Sequence, residues 1–210
     1  MLNTVRLFVG LLIFIIGIGY SQADATNNEN EATKIVEAKD VVLGFQNQLL
    51  ETMKQGKELG FKGRYEKLES IVVSSHDLTK IARIVVGKEW KKFSDEQKTK
   101  LTGIFSRLSI ATYAHNFKDY SGESFNYLSE EETARGGVIV HSVLVLPEDK
   151  DVKFDYMLKK KGGSWRIINI IASGVSDLAL KRSEYTSVLK REGFEALIAK
   201  ITEKIDNYAK

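Results

Sequence analysis

Between Val152 and Leu189 the hydrophobic period changes from two to about 3.6. That switch constrains the fold more than any other feature. Val152, Phe154, Tyr156 and Leu158 alternate with Lys153, Asp155 and Lys159, as one face of a half-buried strand requires. Gly162-Gly163 supplies the positive-φ positions of a tight hairpin, and Trp165 to Ile171 reads as the returning strand. Pairing across that turn predicts Leu158 opposite Ile167 and Tyr156 opposite Asn169, so Phe154, Tyr156, Leu158 and Ile167 share a face. After Gly174, Leu178, Tyr185, Val188 and Leu189 fall on one helical stripe. Ser176 reads as the cap of that helix and Asp177 as an acid favoured in its first turn.

Upstream the pattern is helical. Val41, Val42, Phe45, Leu49 and Met53 define a helix between about Thr33 and Leu59, loosened at Gly56 and Gly60. Tyr65, Leu68, Ile71 and Val72 define a second. After a junction at His76-Asp77, Leu78, Ile81, Ala82 and Val85 form a third that stops at Gly87. Lys88 to Phe93 connects to Ser94-Asp95-Glu96-Gln97, a capping box that opens a helix reaching about Phe117. Phe125 and Tyr127 then mark a strand, and Val138 to Leu146 a longer one. It is apolar on both faces and is therefore expected to be covered on both. Two helices, Ser176–Arg191 and one from Phe194 onward, close the chain around Gly193. The order of elements predicts an α+β fold: a curled antiparallel sheet of about four strands, with N-terminal and C-terminal helices enclosing an apolar cavity.

The beginning of the chain reads differently. Met1 to Arg6 is a short charged lead and Leu7 to Tyr20 an apolar run, shorter than the roughly 20 residues of a membrane span. Ser21-Gln22-Ala23 and Ala23-Asp24-Ala25 both fit a cleavage site. The expected organisation is a signal peptide over 1–23, a polar disordered lead-in over 24–33 and a single domain over 34–210, exported to a periplasm. An uncleaved membrane anchor is the competing reading.

Chemistry is sparse. The absence of cysteine excludes disulfides, thiolate metal sites and a cysteine nucleophile. His76, His115 and His141 lie in three different elements without metal-ligand spacing, so no metal and no cofactor are expected. Gly174-Val175-Ser176 lacks the second glycine of a nucleophile elbow. Glu130-Glu131-Glu132 reads as a solvated loop between strands. Lys159-Lys160-Lys161 reads as a charged hairpin tip that discourages edge pairing. A net charge of +3 without a basic-aromatic stripe argues against nucleic acid. What remains is an abundance of large apolar side chains, among them Trp90, Phe105, Tyr113, Phe117, Phe125, Phe154, Tyr156, Trp165 and Tyr185, all expected in or beside the cavity. Core packing and a ligand pocket use these same residue types.

An ordered set of residues resembles the MlaC family, the periplasmic phospholipid-binding components of ABC-type lipid trafficking systems. It comprises Gly87-Lys88-Glu89-Trp90, Phe93-Ser94, Gln97, Phe105, Leu108, Tyr113, Phe117 and Tyr120. Phe154-Asp155-Tyr156, Trp165-Arg166-Ile167, Gly174-Val175-Ser176, Gly193-Phe194 and Leu197-Ile198 continue it. The run Gly174 to Tyr185 is similar to the hopanoid-associated HpnM branch, and Asn169, where many members carry an acid, favours that branch. The resemblance implies a monomeric carrier with a deep apolar pocket for the acyl chains of a phospholipid or hopanoid. It also implies an inner-membrane ABC transporter complex and an outer-membrane lipoprotein as partners. On this reading Val85, Trp90, Phe105, Leu108, Tyr113, Phe154, Tyr156, Leu158, Ile167 and Tyr185 form the pocket wall. Two alternatives stay open. One is an enzyme of cone-shaped α+β type, with Asp155 the nearest acid although alternation turns it outward. The other is a scaffold protein whose interior is packed shut.

Overall fold

Capping and glycine chemistry divide the first half of the chain. The computed structural model describes residues 37–210, so the signal peptide 1–23 and the lead-in 24–33 lie outside the described residues. Helix α1 (Ala38–Lys54) buries the stripe Val42, Phe45 and Leu49. It stops before the expected Leu59, and α2 (Gly56–Ser75) starts in its place. The cause is steric. A Cβ on Gly56 would stand 1.9 Å from the carbonyl oxygen of Lys118, so the backbones meet where only glycine fits. Arg64, itself buried, locks that crossing by donating to the carbonyls of Gly56 and Ala114, both at 2.7 Å.

Helix α3 (Leu78–Val86) begins at Asp77, whose carboxylate accepts from the Lys80 N–H at 3.2 Å. It ends at Gly87, where φ is +58°, and a 3₁₀ turn (Gly87–Lys92) leads on. Helix α4 (Asp95–Asn116) opens on the expected capping box. The Gln97 N–H donates to the Ser94 hydroxyl at 3.1 Å, and the Ser94 N–H to the Gln97 side chain at 3.0 Å.

The sheet is an antiparallel meander in the order β1 (Ser124–Thr133), β2 (Gly137–Val145), β3 (Val152–Lys161), β4 (Ser164–Ala172) and β5 (Val175–Ser176). Three expectations are corrected. Glu130–Glu132 belong to β1 rather than to a loop, because backbone pairing with Val138–Val140 holds them while their side chains stay in water. β2 is buried on one face only: Val138, Val140, Ser142 and Leu144 are covered, whereas Ile139, Val143 and Val145 remain half-buried. Leu158 does pair with Ile167, but a bulge at Ile168 places Met157 opposite Asn169 and Tyr156 opposite Ile170. Asn169 therefore turns to the outer face, and Ile170 takes the inner position.

Helix α5 (Asp177–Tyr208) is broken at Gly193, with φ +88°, into the two arms expected from the sequence. Ser176 caps it, accepting from the Ala179 N–H at 3.1 Å.

Two cores result. The first joins α1 and α2 to the sheet through Val42, Phe45, Leu49, Leu68, Val140, Tyr156, Leu158 and Ile167. The second joins α3 to both arms of α5 through Val85, Phe105, Leu108, Tyr185, Leu197 and Ile201. Helix α4 serves both, giving Leu101, Ile104, Phe105 and Leu108 to the second and Ile110 and Ala114 to the first. Because Gly56 sits where no side chain fits, Gly56→Ala is expected to destabilise the fold by about 3 kcal/mol. Urea unfolding should show it as a lowered midpoint at unchanged slope.

Candidate functional site

The two cores do not meet flush, and a concave, largely apolar gap lies between them beside the sheet. It begins on α4, where the helix changes from one core to the other. Ser109, Thr112 and Tyr113 face the gap. The Ser109 and Thr112 hydroxyls donate back to the carbonyls of Phe105 and Leu108 at 2.9 and 2.7 Å. Their polarity is thereby spent within the helix, and the surface they offer is largely hydrocarbon. Opposite stand Ile167, Ile168 and Ile170 of β4. The bulge lets successive residues of this strand border the same space, which a regular strand forbids.

The gap has an outer part of about 340 Å³, bounded also by Phe117, Phe154, Ala172 and Val175. A narrow inner part of about 50 Å³ reaches Phe105, Ile81, Leu178 and His76. The two share Ser109, Tyr113, Ile170, Asp177 and Lys181. Val175, 55% exposed, stands at the mouth, beside a reversal in which Ser173 and Gly174 adopt φ of +47° and +83°.

One wall is part of a closed circuit of aromatic rings. Phe45, Tyr113, Phe117, Phe125, Phe154 and Tyr156 follow one another with centroids 5.0 to 6.5 Å apart, and Tyr156 returns to Phe45. Such pairs contribute about 0.5–1.5 kcal/mol each beyond area burial.

The polar groups at the gap are few and mutually engaged. His76 is buried; its Nδ1 lies 2.8 Å from the Ser75 hydroxyl and its Nε2 3.0 Å from the Tyr113 hydroxyl. Burial lowers its pKa to about 4, so the imidazole is neutral at ordinary pH. Burial also raises Tyr113 well above the usual phenol value. The Lys181 side chain is only 10% exposed, and its ammonium donates to Asp177. Asp155, the sequence candidate for an inward acid, pairs instead with His141 at 2.7 Å on the opposite face of the sheet. Among the described residues no cluster of His, Asp and Glu is arranged to hold a metal ion.

The side chains expected to wall one pocket are distributed among several places. Phe105, Tyr113, Phe154 and Ile167 border the gap. Tyr156 and Leu158 lie behind it, fully buried in the first core, and Val85, Leu108 and Tyr185 are fully buried in the second. Trp90 lines a separate surface cleft. The gap lies between the sheet and helices α4 and α5, while Phe45 and Leu49 of α1 are packed into the first core beside it. His76, Ser109, Thr112, Ile168, Ile170, Ala172, Asp177 and Lys181 were missed. Two signals were available: Lys181 sits on the stripe of Leu178, Tyr185 and Val188, and Ile167-Ile168 interrupts strand alternation.

Comparison with known proteins gives concordant results. The family described as MlaC protein matches residues 44–203. A relative from Haemophilus influenzae, the intermembrane phospholipid transport system binding protein MlaC, is 25% identical over 123 residues. That match spans 57% of this chain and 58% of the relative's length. Among solved structures, the phospholipid-binding protein from Ralstonia solanacearum, determined in complex with a phospholipid, superposes with a TM-score of 0.73. It is 22% identical, over 83% of this chain and 99% of that one. The likeness supports the α+β fold with its curled sheet.

The His76 environment has a measurable consequence. Its proton affinity is lower folded than unfolded, so the unfolded chain binds the extra proton and stability falls with falling pH. The loss runs from about pH 6.5 to about pH 4 and totals about 3 kcal/mol. A histidine NMR titration should find the His76 ring neutral at pH 5.

Proposed function

The chain belongs to the MlaC family, and from that premise we propose that it is a lipid carrier. It would hold acyl chains in the gap between its two cores during transfer between membranes. The observation that carries this reading is the gap itself: isoleucine and aromatic walls, hydroxyls of Ser109 and Thr112 turned back into their own helix, and polar groups engaged with one another, His76 with Tyr113 and Lys181 with Asp177. Each methylene moved from water into such a space stabilises by about 0.8 kcal/mol. Affinity therefore scales with chain length and requires no dedicated headgroup lock. A volume of about 340 Å³ is at the lower end of the roughly 300–1,000 Å³ typical of ligand pockets. A single chain asks for less rearrangement than a two-chain lipid, for which the cores must separate along the seam.

The finer reading follows the resemblance. The protein works in the periplasm after export, as the soluble component of an ABC-type system with an inner-membrane transporter complex and an outer-membrane lipoprotein as partners. Phospholipid is the primary cargo, and the Gly174–Tyr185 run supports a hopanoid as the alternative. We assign no catalytic step: His76 is engaged with Tyr113 and Ser75, and Asp155 faces away from the gap.

Native mass spectrometry of protein purified from a bacterial periplasm tests the proposal. Wild type should carry a lipid adduct. Ile170→Glu, which puts a charge on the shared wall of both parts of the gap, should lose it while melting within a few degrees of wild type. Lipid-free wild-type protein in every preparation, or a fully loaded Ile170→Glu variant, would overturn the assignment.

A further inference from the structure

On the other side of α3 and of the first arm of α5 lies a second cleft, of about 510 Å³. Its charged lining is Lys80, Arg83, Lys161 and Arg182 against Asp77 alone, with Trp90 completing the wall. Asp77 is already engaged, accepting from the Lys80 N–H at 3.2 Å and from the Lys161 ammonium at 2.7 Å. Among the described residues no carboxylate is salt-bridged to Lys80, Arg83 or Arg182. The chain has 31 basic and 28 acidic side chains. Removing the four cations and one acid of this cleft leaves 27 of each, so its surplus equals the net charge of the whole protein.

The concentration of charge comes from three separate elements. Lys80 and Arg83 are one turn apart on α3, Lys161 is at the β3–β4 hairpin, and Arg182 is on α5. The Arg182 guanidinium passes close to Gly87, where a Cβ would be 3.4 Å from its Nη2. Trp90 is half-buried and borders both this cleft and the neighbouring one over α4. An indole beside lysine and arginine suits a bilayer interface, where the ring sits at headgroup level and the cations meet phosphate.

We propose that this cleft docks the protein on anionic bilayers by receiving the phosphate-bearing headgroups of lipids still in the membrane. Its position gives docking a use. His76 faces the gap and Asp77 the basic cleft; Lys181 faces the gap and Arg182 the basic cleft. The same two helical turns therefore form both surfaces. A bilayer held at the basic cleft lies against the elements that border the gap, and its headgroup charges are drawn to the side chains that flank them.

Vesicle co-sedimentation of the full-length mature chain tests this. Binding should be strong to phosphatidylcholine vesicles mixed with phosphatidylglycerol, weak to phosphatidylcholine alone, and reduced by salt. Lys80→Ala with Arg83→Ala and Arg182→Ala should weaken it on the order of 100-fold. The charge-matched variant Lys57→Ala with Lys62→Ala and Lys150→Ala should stay near wild type. In a Trp165→Phe background, Trp90 emission should shift to the blue only with the anionic vesicles. Ile170→Glu should still bind vesicles, so failure of docking and failure of the carrier reading are separate results. Equal loss in both triple variants, displacement by millimolar inorganic phosphate, or no preference for anionic vesicles would overturn the proposal. The last result would leave the cleft to an acidic protein partner.

Discussion

Helix α4 must satisfy two cores with one surface, and the rest of the structure follows from that constraint. An α-helix presents a given face once every 3.6 residues. Leu101, Ile104, Phe105 and Leu108 belong to the core shared with α3 and α5, whereas Ile110 and Ala114 belong to the core shared with α1, α2 and the sheet. The residues between the two sets, Ser109, Thr112 and Tyr113, have no core of their own. Large aliphatics at these positions would fill the gap, and polar groups left free there would hold water in it. Back-bonded hydroxyls and a tyrosine held by His76 avoid both outcomes. The gap is thus a consequence of how one helix is shared.

The aromatic circuit keeps the gap from closing on the sheet side. Phe45 has ring centroids 5.0 Å from His76 and Tyr113 and 6.5 Å from Tyr156, all near-perpendicular contacts. Edge-to-face rings are stiff, since each fixes the tilt of the next. Tyr113 is tied into this set through its ring and through its hydroxyl. The opposing wall is softer: the first arm of α5 is flanked by Ser173-Gly174 and by Gly193, positions where φ is positive.

Much of this was legible in the sequence, and the failures have identifiable causes. Capping at Ser94 and Ser176, the stop at Gly87 and the break at Gly193 depend on local chemistry that a few adjacent residues encode, and the structure has each of them. The Leu158–Ile167 pairing held because it lies between the hairpin turn and the bulge. Beyond Ile168 the register shifted by one residue, and Asn169 and Ile170 exchanged faces; a bulge is a tertiary decision that alternation alone does not announce. The site is harder to read from alternation for a related reason. Tyr156, Leu158, Leu108 and Tyr185 are large and apolar, as a pocket wall would be, but whether such a residue faces a void or another side chain depends on which helix arrives opposite. Here α1 arrives opposite Tyr156 and Leu158 and packs with them in the first core.

The cost of the empty state argues that the gap is suited to exchange rather than storage. A dry void costs about 24 cal/mol per Å³, so even if the whole inner part of about 50 Å³ stayed dry, the unloaded protein would lose only about 1 kcal/mol. That is too little to force collapse and too little to demand a permanent ligand. The outer part is open to water and can be wetted, which lowers its cost further. On the proposed carrier reading, a chain in the gap gains about 0.8 kcal/mol per methylene relative to water but little relative to a bilayer interior, which is equally apolar. A protein whose empty and filled states differ by moderate amounts can take up a chain from one membrane surface and release it at another. A deeper, preformed cavity would bind more tightly and lose that reversibility.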